Sequence, residues 1–417
     1  MGFALANAVP ILILFVLCLS GVYGYVGSRK DCCLDYGAKN LKPCYCDNRC
    51  MVNDLPLSGV KVVDLTHSAA GPFATSILGD LGAEVIKVES PEGDMTRSWG
   101  HVIKNGVSTY FLAMNRNKHV IKLDLKKAED RERLYGLVRD ADVFIENYRV
   151  GVAERLGVDY DTISKVNPRI IYVSIKGFMP GSEYENYPAF DVVIQGMSGL
   201  MSVTGCEDGS MVKVGVPITD MVTGFFAVIA ILSALRARDK DGRGIRITVP
   251  MLDSALYIMG IHILYYLFTN TVPKPLGTKY MSVVAPYQGF RARDGKMFIL
   301  AVGNDRIWRR FCEVIGKPEL ADDPRFKTNP DRVRNQGELE RILQEIFVTK
   351  DRDYWVNLFL SNGIPAGPVY DIADIMKDPY VQKYVLTEIN TDIGTLKLVK
   401  NPIRFNGESL SVRYVEY

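Results

Sequence analysis

Alternating strand and helix patterns begin near Leu57 and continue through most of the chain. Val60 to Leu65 (VKVVDL) has the pattern of a buried strand and is followed by a turn. Pro72 stands in the first turn of a predicted helix, which leads to a second strand at Glu84 to Glu89. This order predicts a βαβ unit, and therefore a parallel sheet with ligands at the carboxyl ends of its strands.

The same patterns recur further along the chain and predict an α/β protein. Further strands are predicted at Val120 to Leu125, Val143 to Glu146, Ile170 to Ile175 and Ile245 to Val249. Helices are predicted at Lys127 to Arg139, Phe190 to Met197, Asp220 to Arg238 and Leu252 to Phe268.

The N-terminal residues have a different pattern. Ala8 to Leu19 is an apolar run within 28 uncharged residues, which is typical of a cleavable secretory signal. Extended to Val26, the run is nearly long enough to be a membrane anchor. Five cysteines then lie between Cys32 and Cys50, a density that favours a small disulfide-bonded module over free thiols on a linker.

Charge divides at the same place. The whole chain of 417 residues carries 50 basic and 48 acidic side chains. Residues 1–53 contain five basic and three acidic side chains, so the other 364 residues are balanced at 45 against 45. A body without a basic excess does not attract nucleic acid along its length, and nucleic acid is not an expected partner.

Familiar catalytic motifs are missing from the sequence. The four histidines, of which His67 lies in the first predicted βα turn, are not spaced as metal ligands, and there is no G-x-S-x-G or Walker A motif. A dinucleotide oxidoreductase with Glu89 on a ribose is a further hypothesis, but the first turn reads HSAAGP and lacks G-x-G-x-x-G.

Two carboxylates stand at predicted helix starts. Asp191 lies in YPAFDVVIQGMSGLMSVTG, and Asp220 ends VGVPITD before a long apolar helix. An Asp in this position is an ordinary N-cap, but the same helix end also favours an ionised carboxylate that can act as a nucleophile. The local pattern does not choose between the two roles.

Six ordered segments resemble the family III CoA-transferases, the group that contains formyl-CoA transferase. They begin with LSGVKVVDLTHSAAGPFATSILGDLGAEVIKVESPEGDMTRSWG and continue with NRNKHVIKLDLKK and ADVFIENYRVGVAERLG. YPAFDVVIQGMSGLMSVTG, VGVPITDMVTG and GIPAGPVYDI complete the set. Two later segments, around GTKYMSVVAPYQGF and GKPELADDPRFKTNP, are most similar to the branch that acts with succinyl-CoA on dicarboxylates such as glutarate or hydroxymethylglutarate.

The resemblance implies an α/β fold with a Rossmann-like large domain, a smaller α+β domain and an interlocked homodimer. The implied divisions are a signal-like or anchor segment at 1–30, a cysteine-rich segment at 31–53, a large domain at 54–250, a helical linker at 251–280, a small domain at 281–365 and a C-terminal return at 366–417. Relatives act in mitochondria or cytoplasm, whereas the N-terminus reads as secretory. A membrane is an expected partner only if residues 1–26 remain as an uncleaved anchor.

The resemblance also implies the site. The nucleophile falls on Asp220, with His67, Phe190 and Asp191 near the substrate. Coenzyme A enters as an acyl-CoA co-substrate beside a carboxylic acid, with no metal or redox cofactor. The implied CoA-binding residues are Ala70, Gly71, Leu123, Asp124, Leu125, Lys126, Asn147, Tyr148 and Arg155. Lys126 and Arg155 offer charge for the phosphates.

Two other functions stay open at this point. An acyl-CoA racemase or isomerase has the same fold, but related racemases place a His where this chain has Phe190. A secreted cysteine-module protein with a non-catalytic, enzyme-like body is the second alternative.

Overall fold

The computed structural model of the protein describes residues 55–101, 107–281 and 283–417. The signal-like or anchor segment and the cysteine-rich segment lie outside the described residues. The disulfides and the secretory signal predicted for these segments therefore stay predictions.

Six parallel strands form the central sheet. They are β1 (Lys61–Asp64), β2 (Glu84–Glu89), β3 (His119–Lys122), β4 (Val143–Glu146), β5 (Ile171–Lys176) and β6 (Ile245–Pro250). Their spatial order is β3-β2-β1-β4-β5-β6, and every neighbouring pair is parallel. The predicted parallel sheet is confirmed. The strand order reverses between β1 and β4, and ligands of doubly wound sheets bind outside such a reversal.

Helices cover both faces of this sheet, so its central strands are continuously apolar. All four residues of β4 and five of the six in β5 are buried. The helices of this part are α1 (Ala70–Asp80), α2 (Thr109–Asn115), α3 (Ala128–Arg139), α4 (Val152–Leu156), α5 (Tyr160–Val166), α6 (Asp191–Met197), α7 (Ile218–Asp241), α8 (Met251–Ile258) and α9 (Gly260–Thr269).

Helix α7 packs closely against α1 because Gly224 carries no side chain. A Cβ there would lie 2.9 Å from the carbonyl oxygen of Ala70 and 2.9 Å from Phe73 Cδ1. By length and composition alone α7 could cross a membrane. Its inner residues Ala227 and Ile231 are nevertheless part of the core formed with the sheet.

The predicted single helix from Leu252 to Phe268 is wrong in one respect. The structure has two helices there, α8 and α9, which meet at an angle of 66°. Gly260 begins the second helix, and glycine has a low helix propensity because its backbone loses the most conformational freedom on folding.

A separate region follows, built on a small antiparallel sheet. Its strands are β7 (Tyr287–Arg291), β8 (Met297–Ala301) and β9 (Ala366–Pro368). The helices α10 (Asp305–Val314), α11 (Asn329–Arg334), α12 (Gln336–Phe347) and α13 (Arg352–Ser361) surround it. Aromatic side chains including Trp308, Phe311, Phe347 and Phe359 form its own buried core.

The last residues return to the parallel sheet. After α14 (Ile372–Ile375) come two short hairpins, β10 (Leu386–Thr391) with β11 (Gly394–Val399), and β12 (Arg404–Phe405) with β13 (Glu408–Ser409). Beyond them, Arg413 donates from its backbone N–H to Asn117 Oδ1 at 2.7 Å and from its guanidinium to the Gly79 carbonyl at 2.8 Å. Glu416 accepts from the backbone N–H of Val120 in β3 at 2.7 Å. The C-terminal segment is therefore tied to α1 and to the edge of the sheet.

Candidate active site

A cleft of about 320 Å³ lies at the reversal of strand order, between the ends of β1 and β4. It brings together six of the side chains and backbone positions expected at the site: His67, Ala70, Asn147, Tyr148, Phe190 and Asp220. These residues come from four separate segments of the sequence, so the fold, and not sequence proximity, assembles them.

Asp220 lies in the first turn of α7 and lines the cleft, where it is half-buried. Burial is the main cause that raises the pKa of its carboxyl group from 3.8 to about 7, and the nearby carboxylate of Asp191 raises it further. The backbone N–H of Ala70, which faces the carboxylate, acts in the opposite direction. The carboxylate is thus poorly solvated, which suits a nucleophile more than a helix cap.

Asp191 lies behind Asp220 and outside the lining of the cleft. Its Oδ1 accepts from the backbone N–H and the hydroxyl of Thr219, at 2.8 and 2.7 Å, and its Oδ2 accepts from Gln195 Nε2 at 2.6 Å. Gln195 in turn accepts from the backbone N–H of Val214 at 2.8 Å. This network joins the start of α6 to the segment that leads into α7.

A buried ionic cluster stands behind the first βα turn. Lys118 Nζ donates to Asp64 Oδ2 at 3.2 Å, to the Pro72 carbonyl at 2.9 Å and to Asn115 Oδ1 at 2.9 Å, with no exposure of either charged side chain. Burial raises the pKa of Asp64, but the charges of Lys118 and Lys87 and the hydrogen bonds from Thr66 and Thr75 together outweigh it, so the net pKa is lowered. Lys87 donates to the Thr66 carbonyl at 2.7 Å. The cluster connects β1, β2, α1 and the segment before β3.

The surroundings of His67 favour its neutral form. Burial lowers the pKa of its imidazole, with Asp94 opposing that effect and Lys87 adding to it. The ring is 6.0 Å from that of Tyr148, on the opposite side of the strand reversal. A neutral ring contributes shape and hydrogen bonding to the cleft, not charge.

The expected CoA-binding residues fall into three groups, those that line the main cleft, those that line a neighbouring cleft and those outside both, and Ala70 and Asn147 belong to the first. Leu123, Asp124, Leu125 and Lys126 line a neighbouring cleft, and Tyr148 lines both clefts. Gly71 instead packs against Thr66, since a Cβ there would lie 2.3 Å from Thr66 Cβ. Arg155 lies in α4, outside the lining of both clefts.

Three residues near Asp220 were not expected from the sequence. Arg149 is exposed and lines the cleft directly after Asn147 and Tyr148, which was the available signal. Lys176, at the end of β5, donates to the carboxylate of Glu146 and to the Tyr148 carbonyl. Burial raises the pKa of Tyr110 to about 12, and the charges of Asp220 and Asp191 add to that effect. Nothing in the local sequence places Tyr110 near these carboxylates.

Within the described parts of the chain, no three His, Cys, Asp or Glu side chains are grouped as metal ligands would be.

The chain is similar in sequence and in fold to several known proteins. The chain is 40% identical over 364 residues to a succinyl-CoA:glutarate CoA-transferase of Homo sapiens, covering 87% of this chain and 83% of that protein. It is 38% identical over 354 residues to an acetyl-CoA:oxalate CoA-transferase of Acetobacter aceti, covering 84% and 90%. The crystal structure of a CAIB/BAIF family protein from Brucella suis superposes with a TM-score of 0.76 at 38% identity, covering 86% of this chain and 95% of that one.

The profile of CoA-transferase family III matches residues 57–415, which includes every segment of the cleft. The resemblance inferred from the sequence motifs is confirmed, and the chain belongs to CoA-transferase family III and is a CoA-transferase.

Proposed function

We propose that the protein transfers CoA from succinyl-CoA to a dicarboxylic acid such as glutarate, with Asp220 as the nucleophile. The observation that carries this proposal is the half-buried carboxylate of Asp220, which lines the cleft at the strand reversal. The substrate class is supported by the relatives that are named as succinyl-CoA:glutarate CoA-transferases.

The first half of the reaction moves CoA onto the enzyme. An oxygen of Asp220 attacks the thioester carbon of succinyl-CoA, the C–S bond breaks, and a mixed anhydride and CoA thiolate form. The thiolate then attacks the aspartyl carbonyl of that anhydride. Succinate leaves as a carboxylate, and CoA is held on Asp220 as a thioester.

The second half reverses these steps with the acceptor acid. One carboxylate of the acceptor attacks the aspartyl thioester, so a new anhydride forms and CoA thiolate leaves again. The thiolate attacks the acyl carbon of the acceptor and expels the Asp220 carboxylate. The number of thioesters is unchanged over the cycle, so no external energy source or electron carrier enters the balance.

The surroundings of Asp220 suit both halves. Its raised pKa reflects weak solvation, so less hydration is lost when the carboxylate attacks. The Ala70 N–H, which faces this carboxylate, is also placed to donate to the oxyanion that develops on the aspartyl carbonyl. Each role needs a backbone donor held in one place.

CoA itself is expected to run from this cleft to the neighbouring one. Tyr148 lines both clefts, and the neighbouring cleft contains Leu123, Asp124, Leu125 and Lys126. We propose that Lys126 neutralises phosphate charge there, with Arg155 at a greater distance from the acyl group. The thioester end would then lie beside Asp220.

We also propose that the chain forms the interlocked homodimer expected of its family. Large apolar side chains are exposed along helices α7, α8 and α9. Phe225, Ile229, Tyr257, Leu264 and Phe268 are 50, 57, 76, 54 and 85% exposed. Apolar surface of this kind is normally covered by a partner. Light scattering of the wild type and of a Leu264→Asp, Phe268→Asp double variant tests this, with a dimer expected for the first and a monomer for the second.

The deciding experiment measures glutaryl-CoA formation from succinyl-CoA and glutarate by mass spectrometry. Asp220→Ala is expected to lower kcat by at least about a thousandfold, because the covalent route is removed. Asp161→Ala, at an exposed acid on α5, is the matched control and should keep full activity. Full transfer by Asp220→Ala would overturn the mechanism. Deuterium exchange at Cα of a 2-methylacyl-CoA, without CoA transfer, would instead indicate the racemase reaction.

A further inference from the structure

Asn147 makes a two-point contact that its expected role in CoA binding does not explain. It directly follows β4, and its Oδ1 accepts from the backbone N–H of His67 at 3.0 Å. Its Nδ2 donates to the backbone carbonyl of the same residue at 2.8 Å. The plane of the amide is therefore fixed along the backbone of the first βα turn, 80 residues earlier in the sequence.

That turn is held at every residue from Thr66 to Ser68. Thr66 donates from its backbone N–H to Asp64 Oδ1 at 2.8 Å, and its carbonyl accepts from Lys87. Ser68 has a φ of 69°, a left-handed conformation that costs about 1 kcal/mol or more outside glycine. Its backbone N–H has a long contact of 3.4 Å with Asp94 Oδ1. Asn147 holds the middle of the turn, beside this strained residue.

The first βα turn is directly connected to the residues around Asp220. Helix α1 begins at Ala70, two residues after Ser68, and the Ala70 N–H is the backbone donor that faces Asp220. On the other side, Gly224 of α7 packs against the Ala70 carbonyl. A displacement of the turn therefore changes the position of Ala70 relative to the carboxylate.

We propose that Asn147 is a positioning residue for acyl transfer: its amide holds the first βα turn so that the Ala70 N–H meets Asp220. This inference rests on the proposed function, because it assigns Asp220 as the reacting group. The positioning role is assigned to the side chain of Asn147. The backbone of Asn147 and Tyr148 keep their expected place along the path of CoA.

The alternative role gives a different kinetic result. If the Asn147 side chain mainly bound CoA, Asn147→Ala would raise KM for succinyl-CoA and weaken CoA binding while leaving kcat unchanged. A positioning role predicts the reverse. We expect kcat to fall about 10- to 100-fold, since small displacements of reacting groups have effects of this size, with the Kd for CoA changed less than about twofold.

A pH profile supplies a readout that a general loss of packing does not move. The Ala70 N–H favours the ionised form of Asp220, so a displaced Ala70 raises the pKa of that carboxyl group. The acidic limb of kcat/KM should accordingly move to higher pH in Asn147→Ala. Asn390→Ala, the same change at an exposed position of β10, should leave the profile and both constants unchanged.

The test combines steady-state kinetics, titration calorimetry with CoA and thermal unfolding. If Asn147→Ala does not fold, Asn147→Asp keeps an acceptor for the His67 N–H, and kcat and the Kd for CoA are compared in that variant without the acidic limb, which its added negative charge would itself move. An unchanged kcat with weakened CoA binding, or an unshifted acidic limb, would overturn the positioning role. Asp220→Ala is measured alongside as a separate test. An active Asp220→Ala would contradict the proposed function itself, whereas the Asn147→Ala results test only the positioning role.

Discussion

The carboxylate of Asp191 holds Thr219, the residue directly before Asp220. Two hydrogen bonds, at 2.8 and 2.7 Å, join Asp191 Oδ1 to the backbone N–H and the hydroxyl of Thr219. The same negative charge raises the pKa of Asp220. Asp191 therefore orients the first turn of α7 and, at the same time, makes its neighbour harder to ionise.

This relationship predicts a specific pH dependence. In the proposed mechanism Asp220 attacks the thioester in its ionised form, so kcat/KM for succinyl-CoA should rise about tenfold per pH unit and level off above about pH 7. Asp191→Asn removes the like charge and lowers the pKa of Asp220, so the acidic limb should move to lower pH. Because burial is the larger cause, the limb should stay above the ordinary value of 3.8. Rates of the wild type and of Asp191→Asn between pH 5 and 9 give the acidic limb of each protein. If the two limbs coincide, the charge of Asp191 does not raise the pKa of Asp220.

The same pKa predicts an effect on stability. The folded state holds the Asp220 proton more tightly than the unfolded state, so the free energy of unfolding falls as pH rises from about 4 to about 7. Asp220→Asn has no ionisable group at this position, so this fall in the free energy of unfolding is absent from the variant. We expect Asp220→Asn to be more stable than the wild type at pH 8, by at most about 4 kcal/mol for a pKa raised from 3.8 to about 7.

Urea unfolding at pH 5 and pH 8 checks this expectation. The gain in Asp220→Asn should be larger at pH 8, where the wild-type carboxylate is mostly ionised, than at pH 5. An equal gain at both pH values would mean that the substitution acts through packing, not through ionisation.

A third prediction concerns the contact between α1 and α7. Gly224→Ala places a Cβ 2.9 Å from the Ala70 carbonyl oxygen, so one helix must shift. We expect a loss of roughly 1–3 kcal/mol in the free energy of unfolding, with reduced transfer activity because Ala70 moves relative to Asp220. Gly136→Ala on α3 is the matched control, since the nearest atom is 4.0 Å away. The control should be neutral or stabilised, and equal behaviour of the two variants would contradict the proposed steric cause.

The sequence predicted the sheet well because its strands are read from local apolar runs. Strands β2 and β4 begin and end where the pattern placed them, at Glu84–Glu89 and Val143–Glu146. The break between α8 and α9 was missed, because a single Gly260 inside an apolar helical run does not by itself specify a bend.

The site was less accessible to sequence reasoning. Asp220 was found as one of two carboxylates at helix starts, but the local pattern could not separate it from Asp191. The structure distinguishes them by partners: Asp191 is occupied by Thr219 and Gln195, whereas Asp220 lines the cleft. Contacts such as Asn147 with His67, or Tyr110 near Asp220, join residues far apart in the chain. They depend on the order of strands in the sheet, which no local pattern contains.

A last prediction tests the buried ion pair behind the first βα turn. Lys118→Met leaves Asp64 as a buried carboxylate without its nearest counter-charge, and the Pro72 carbonyl without its bond from Lys118. Breaking a buried pair from one side costs about 3–5 kcal/mol, so we expect a loss of that size in urea unfolding. Lys327→Met, at an exposed lysine, should change stability by less than about 0.5 kcal/mol.

The double variant Asp64→Asn, Lys118→Met then separates charge from packing. With both charges gone, no ion is left buried without a partner, and the amide oxygen introduced by Asp64→Asn can still accept from the backbone N–H of Thr66, as the carboxylate does. We therefore expect the double variant to be more stable than Lys118→Met alone. The single variant Asp64→Asn completes the comparison. If the losses of stability in Asp64→Asn and Lys118→Met simply add in the double variant, the cost at Lys118 comes from lost packing, and the pair does not act as an electrostatic unit.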